Sequence, residues 1–349
     1  MYDILTLSNF RGFRDFSMDL KPITLIAGEN HTGKTTILES IYLLHDYMNP
    51  DVFLKLLAFR GILRKNLSPQ TLWAPLFYRM DTKNPLKITL GNNFSLSLER
   101  DNKYSLPNDI SHDLSTILGN KPINDYALSC AVDKGDKIFG GYYVLSNGVV
   151  LIRRTEESQP FDIPPVQYIG PNTPLEWMDV VELFGMVDLM GKKQSLIECL
   201  KIIDESISDV TTILVDGIAQ LYLTNKLNLK MPLYIMGDGI CKIMKVALTL
   251  YTNPSCVLLL DELENGLHYS LHAKFWAIIA SLAAQEKCQI IATTHSYECI
   301  NSALKGVKKE GLTGVFSYTR LAREDDCIKP KAFTNEILDF ALSKDWEVR

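Results

Sequence analysis

The sequence predicts an α/β fold with a mostly parallel core sheet, an N-terminal antiparallel β lobe and an inserted region of mixed helix and strand. Three observations carry this reading. An apolar strand, a glycine loop and a helix follow one another between residues 23 and 48. A period of two runs through residues 86 to 153. From residue 240 to 293, apolar runs alternate with helical spacing, which implies a parallel crossover with helices covering the strands.

The first unit is the most specific. Ile23 to Ala27 (ITLIA) reads as a short buried strand, and Ile37, Ile41, Leu44 and Met48 share one helical face. Between them lies Gly28-Glu29-Asn30-His31-Thr32-Gly33-Lys34-Thr35, a G-x-x-x-x-G-K-T phosphate-binding loop continuing into Thr36. Its glycines let backbone N–H groups turn around phosphate oxygens, and the helix N-terminus adds partial positive charge. Lys34 is expected to reach the β- and γ-phosphates, and the Thr35 hydroxyl to ligate Mg²⁺. The expected fold is therefore a P-loop NTPase, with ATP and Mg²⁺ as its cofactors.

Bulk composition narrows the class. The chain has 349 residues, so one elaborated domain or two lobes are expected. A hydrophobic content of 46% with 22% charged residues is globular, and a net charge of −5 gives no global basic field for nucleic acid. Seven cysteines form no C-x-x-C pair, so reduced buried thiols are expected rather than disulfides or zinc ligands. No apolar run spans a bilayer and Met1-Tyr2-Asp3 does not open a signal peptide, so a cytoplasmic protein without membrane contact is expected.

Along the chain, Ile4 to Phe10 reads as a strand, Arg11 to Asp15 as a turn, and Phe16, Met18 and Leu20 as a half-buried strand. Val52 to Arg64 is helical. Leu86, Ile88 and Leu90 alternate up to a Gly91-Asn92-Asn93 turn, and Phe94, Leu96 and Leu98 alternate back. Asn147-Gly148 marks a further hairpin. Pro160 to Pro174 is a transition. Leu175 to Ser208 reads as helical, with Leu196, Leu200, Ile203 and Ile207 on one core stripe. Thr211 to Leu223 is expected to form a hairpin around Asp216-Gly217. Ile240 to Tyr251 and Ser270 to Glu286 are helices, and Cys256 to Leu260 and Gln289 to Thr293 are buried strands. The tail after Thr334 has room for one short helix.

Chemistry gathers where the last strands end. Val257 to Leu260 runs into Asp261 and Glu262: Asp261 suits the Mg²⁺ held by Thr35, and Glu262 suits polarisation of a water attacking the γ-phosphate. His295 follows the next strand in Thr293-Thr294-His295-Ser296, where an imidazole can hydrogen-bond a γ-phosphate. Met236-Gly237-Asp238-Gly239 opens a helix and is a second anion-binding turn. Two such turns in one chain point to a nucleotide shared between two protomers.

The order of these features resembles the ABC-type ATPase head. More narrowly it is similar to the RecF/SMC/OLD branch of prokaryotic AAA-labelled ATP-binding proteins. Leu7 to Phe13 (LSNFRGF), Asp261 to His268 (DELENGLH) and Ala292 to Ser296 (ATTHS) carry the narrower resemblance. It implies that Gly28 to Thr36 is the Walker A loop, Asp261 with Glu262 Walker B and its catalytic base, and His295 the switch histidine. It further implies that Gly237, Asp238 and Gly239 act in trans across an ATP-sandwiched dimer, with residues 265 to 268 crossing the interface. Arg11 is carried over as a residue approaching the phosphates. Met236 and Asp238 depart from the Ser-Gly-Gly of transporter heads, and only Gln167 offers itself for a glutamine loop.

The expected organisation is an ATPase core of residues 1–48 and 211–325, an inserted lobe of 49–210, and a tail helix in 326–349. The resemblance implies an ATP-hydrolysing subunit whose head dimer controls a separate effector, such as a nuclease, in phage defence or DNA repair. The alternative is a RecF-like ATP-dependent DNA-binding protein without an effector. It would draw on Arg153-Arg154, Lys192-Lys193, Lys305 and Lys308-Lys309.

Overall fold

The computed structural model describes residues 1–62, 68–100, 127–146, 149–155, 162–172, 177–325 and 327–349. The expected turn at Asn147-Gly148 lies outside them. Two strands of the N-terminal lobe, β1 (Ile4–Phe10) and β2 (Phe13–Asp19), form a hairpin in which Arg11 has a φ of 49°. β3 (Ile23–Gly28) leads into α1 (Lys34–His45), followed by α2 (Val52–Phe59). Then come β4 (Leu86–Leu90), β5 (Phe94–Arg100), β6 (Ala127–Lys134), β7 (Lys137–Ser146) and β8 (Val149–Arg154).

β1 and β2 join these five strands in one antiparallel sheet of order β2-β1-β4-β5-β6-β7-β8. The next elements are β9 (Val166–Ile169), α3 (Trp177–Leu189), α4 (Lys193–Ile203) and the three-stranded sheet β10 (Ile207–Val215), β11 (Ile218–Asn225) and β12 (Lys230–Pro232). Asp216 and Gly217 both take positive φ, 51° and 80°, as a two-residue hairpin turn requires. α5 (Asp238–Thr252), β13 (Val257–Leu260), α6 (Tyr269–Gln285), β14 (Gln289–Thr294) and α7 (Tyr297–Lys309) follow. The chain closes with β15 (Phe316–Glu324), β16 (Cys327–Phe333) and α8 (Asn335–Ser343).

The core sheet runs β16-β15-β3-β14-β13-β9, and only the β15–β16 pair is antiparallel. Its register lines up the carboxyl ends: Leu260 pairs with Ile169 on one side and Ala292 on the other, and Thr294 pairs with Ala27. Strand residues alternate between two cores. Ile23, Leu25 and Ala27 face a core shared with the helices of the C-terminal half. Ile26, Leu259 and Ile291 face a core shared with α1 and the antiparallel sheet. α1 is therefore a middle layer between two sheets, and it is buried from Thr36 through His45 rather than along one stripe.

Three boundaries differ from expectation. β9 lies inside 49–210, yet it pairs parallel with β13 and completes the core sheet. Its four residues sit in a proline-rich stretch too short to show a period. The run expected to be helical to Ser208 ends at Ile203, and Ile207 instead heads β10. A register shift between Ile207 and Asp209 breaks the alternation at the start of β10, and Ile207 falls by coincidence on the helical spacing of Leu200 and Ile203. The segment 326–349 contributes a core-sheet strand, β16, before its helix α8. No described helix is long and apolar enough to cross a membrane.

The last residue of α1 makes the middle layer sensitive to pH. His45 is buried, its Nδ1 2.8 Å from the Ile41 carbonyl oxygen and its Nε2 3.1 Å from the Tyr2 hydroxyl. Burial pushes its imidazole down to about 4. Its folded value thus lies below the ordinary value of about 6.5, so the unfolded chain takes up a proton first. Stability should fall by about 1.4 kcal/mol per pH unit from about pH 6.5 down to about pH 4, and stay level in this respect above that window. Urea midpoints of wild type and His45→Gln across pH 4 to 7 check this: the difference between them should shrink as pH falls. Parallel curves would show that His45 is not the source.

Candidate functional site

The phosphate loop turns on backbone geometry that only glycine adopts without strain. Gly28 has a φ of 151°, and a Cβ there would lie 2.6 Å from the Leu321 carbonyl oxygen of β15. Gly33, at φ 85°, caps α1 with the Phe13 ring beneath it, 2.7 Å from where a Cβ would stand. Thr32 donates to the Glu29 carbonyl oxygen at 2.8 Å, and Arg323 reaches the His31 carbonyl oxygen at 3.4 Å. Thus β15 supports the loop from its parallel pairing with β3, a role that local sequence patterns do not reveal. Lys34 folds back onto the loop, its Nζ 2.7 Å and 2.9 Å from the carbonyl oxygens of Gly28 and Glu29. Burial lowers its pKa, while Asp261, Glu262 and Glu264 pull it the other way. Glu29, Asn30 and His31 form the outer, exposed rim of the loop.

The aligned strand ends bring the loop to the two acids. The Thr35 hydroxyl lies 2.9 Å and 3.2 Å from the two oxygens of Asp261. Asp261 is only 4% exposed, and it also accepts from Tyr168 at 2.9 Å and Thr293 at 2.5 Å. Three hydroxyl donors offset the cost of burying this carboxylate. Burial and the neighbouring Asp261 charge together raise the Tyr168 phenol, which keeps it a donor. A hydroxyl and a carboxylate at this spacing form a hard oxygen pair of the kind Mg²⁺ accepts beside phosphates. The residues present fit that ion.

Beyond Asp261 the backbone turns sharply, with Glu262 at φ 48°. The Glu262 N–H donates to the Thr293 hydroxyl oxygen at 3.0 Å, and its Oε2 accepts from the Asn265 side chain at 2.5 Å. Lys242 of α5 holds this turn from behind. Its ammonium donates to the carbonyl oxygens of Glu262, Leu263 and Asn265 at 3.3, 2.6 and 2.9 Å. Burial pushes Lys242 down to about 8, against the opposing pull of Glu264, Cys299 and Glu262.

His295 stands just past β14, 48% exposed on its side chain, with Nδ1 3.3 Å from Glu264 Oε1. Its backbone N–H donates to the same oxygen at 2.9 Å. The turn Gly237-Asp238-Gly239 opens α5 and packs on the loop after β13: Asp238 Cβ would meet a Cβ at Gly266 at 3.1 Å, and Leu267 one at Gly239 at 3.2 Å. A cleft of about 400 Å³ opens beside it, lined by Gly170, Met236, Asp238, Lys242, Asn265 and Gly266.

Arg11 is placed differently from expectation. Its Nε is 3.2 Å from Glu39 of α1, a fully buried carboxylate that Arg60 also grips at 2.6 Å and 2.7 Å. An acid inside the middle layer requires such pairing, and Arg11 serves it. Arg60 reaches the Thr36 hydroxyl as well, at 3.2 Å, and Phe59 beside it stacks on Tyr168 with centroids 3.7 Å apart. Gln167 pairs with Leu258 within β9, on the face opposite Tyr168. Of the basic spots, Lys192 is paired with Glu286, Lys193 with Asp209 and Lys308 with Asp339. The side chain of Arg153 lies outside the described residues. Sequence reading missed Tyr168, Lys242 and Arg60, which carry no motif. It passed over Thr293 and Glu264, although both stand inside quoted phrases.

A phosphate loop facing an Asp-Glu pair across aligned parallel strands is the arrangement of a P-loop ATPase. The chain is such an ATPase, and it belongs to the family described as "AAA domain, putative AbiEii toxin, Type IV TA system", which matches residues 23–301. It is 23% identical over 366 residues to a Helicobacter pylori protein named ATP/GTP phosphatase, covering 97% of each chain. The fold is similar to an Smc head solved with the C-terminal winged-helix domain of ScpA. The two are 13% identical, with 96% of this chain and 98% of that one covered and a TM-score of 0.53. An SMC head domain from Thermotoga maritima is 11% identical, with 95% and 98% covered and a TM-score of 0.46.

The close approach at Gly28 gives a direct test of the loop. Gly28→Ala should destabilise the fold by on the order of 2 kcal/mol, because the neighbouring atom is backbone and cannot rotate away. Urea denaturation measures this. An unchanged midpoint would mean that β3 and β15 separate readily at the loop.

Proposed function

We propose that this ATPase binds Mg-ATP at residues 28–36 and hydrolyses it with Glu262 as the general base, in a dimer that closes on nucleotide. The observation that carries the reading is the Thr35–Asp261 contact, with Glu262 as the next residue. Lys34 exchanges its carbonyl partners for the β- and γ-phosphates. Thr35 and Asp261 would hold Mg²⁺, which neutralises charge on the β- and γ-phosphates when bound. Glu262 orients the attacking water and takes its proton. Lys242 and Asn265 keep the turn that carries Glu262 in place, and His295 contacts the γ-phosphate. Gly237, Asp238 and Gly239 present the N-terminus of α5 to the nucleotide of a second copy. Arg11 has no part in this reading, because Glu39 engages it.

Closure and opening of the dimer would act on a separate effector protein, in phage defence or DNA repair. The family description supports a second component, since it names a toxin–antitoxin system. Ion pairing at Lys192, Lys193 and Lys308 weighs against the DNA-binding alternative, because paired lysines release fewer counterions. DNA degradation by the purified chain without any partner would contradict the division of labour.

Steady-state turnover and equilibrium ATP binding test the catalytic assignment. Lys34→Ala should lose ATP binding. Glu262→Gln should keep binding within a few-fold and lose at least about 100-fold in kcat. Equal turnover in wild type and Glu262→Gln would remove Glu262 from its role.

A further inference from the structure

The turn after β13 carries two carboxylates, and the structure uses them differently. Glu262 is engaged by Asn265. Glu264, two residues on, is 9% exposed on its side chain; its Oε1 accepts from the His295 backbone N–H at 2.9 Å and lies 3.3 Å from the ring Nδ1 of the same residue. Its other oxygen, Oε2, is buried with no hydrogen-bond partner among the described residues. A carboxylate buried for stability alone would have both oxygens satisfied, since an unmet one is costly. Among the described residues its one hydrogen bond goes to the His295 backbone, and the same oxygen faces the His295 ring at 3.3 Å.

We propose that Glu264 is the positioning residue for His295: it fixes the proton on Nδ1 and leaves Nε2 as the ring nitrogen that serves the nucleotide. The inference rests on the reading that His295 acts at the γ-phosphate. An ionised carboxylate accepts a hydrogen bond only from a protonated ring nitrogen, so the neutral ring keeps its hydrogen on Nδ1. When the ring takes a second proton from solvent, that proton sits on Nε2 and donates to a γ-phosphate oxygen. Glu264 then stabilises the imidazolium from behind. The double hold on main chain and ring also fixes how far the half-exposed imidazole can swing. His295 thus takes its orientation from the acid two residues beyond the proposed base, and not from the base itself.

Two measurements on the full chain test this, and the first needs no nucleotide. Nitrogen-15 NMR of the histidine rings, assigned with His295→Ala, reports which nitrogen of His295 carries the hydrogen above the ring's ionisation. Wild type should show it on Nδ1. Glu264→Ala should shift the ring toward the Nε2 tautomer, while Glu264→Gln, whose amide oxygen still accepts, should largely keep it on Nδ1. An unchanged tautomer in Glu264→Ala would overturn the proposal.

The second measurement is a double-mutant cycle on kcat. Glu264→Ala and His295→Ala should each lower kcat by about 10- to 100-fold, with ATP affinity within a few-fold of wild type. The double variant should be no more than about twofold slower than the slower single one. Additive losses would show that Glu264 acts on another group and would overturn the proposal. A normal rate in His295→Ala with the expected tautomer shift would instead overturn the role of His295 in hydrolysis and keep Glu264 as the group that sets its ring.

Discussion

The site depends on the hydroxyl of Thr35 meeting the buried carboxylate of Asp261. These residues are far apart in sequence, and only the parallel register of β3, β14 and β13 brings them together. One slipped residue would turn every side chain of a strand to the opposite core, so the two hydrophobic cores that fix the register also fix the chemistry. Thr293, on the strand between them, ties the arrangement: its hydroxyl donates to Asp261 and accepts from the Glu262 N–H.

Burying charge in this region is costly, and the structure offsets the cost in three ways. Asp261 is surrounded by hydroxyl donors. Glu39 is gripped by two guanidinium groups. Lys242 is held by three main-chain oxygens, although burial pushes its pKa down. The last two link elements that share no sequence motif: α1 to the β1–β2 turn and to α2, and α5 to the turn after β13. The residues after β13 are therefore held from both sides, by α5 through Lys242 and by β14 through Thr293. A change at the N-terminus of α5 has a short physical route to Glu262.

Much of this was legible in the sequence where the signal is local. The phosphate loop carries its glycines and Lys-Thr pair at fixed spacing, and the Asp216-Gly217 turn needs positive φ at both positions. β13 and β14 read as apolar runs because both their faces are covered. What the sequence did not disclose is non-local. β9 is four residues long, and β15 and β16 are core-sheet strands at the edge of the reading, identified only by their partners. Arg11 stands in a motif-like phrase, but its destination was set by Glu39, whose burial follows from the placement of α1 between two sheets. Glu264 carries no local signal of its own, because its contact with His295 joins two different strand ends.

The central claim is that the complete nucleotide site needs two copies of the chain, because Gly237 to Gly239 pack beside the loop after β13 and are proposed to serve a partner's nucleotide. The most direct measurement is the solution mass of Glu262→Gln with and without Mg-ATP, by light scattering after size exclusion. The account predicts a monomer that becomes a dimer when Mg-ATP is added. The same mass in both conditions would contradict nucleotide-driven closure.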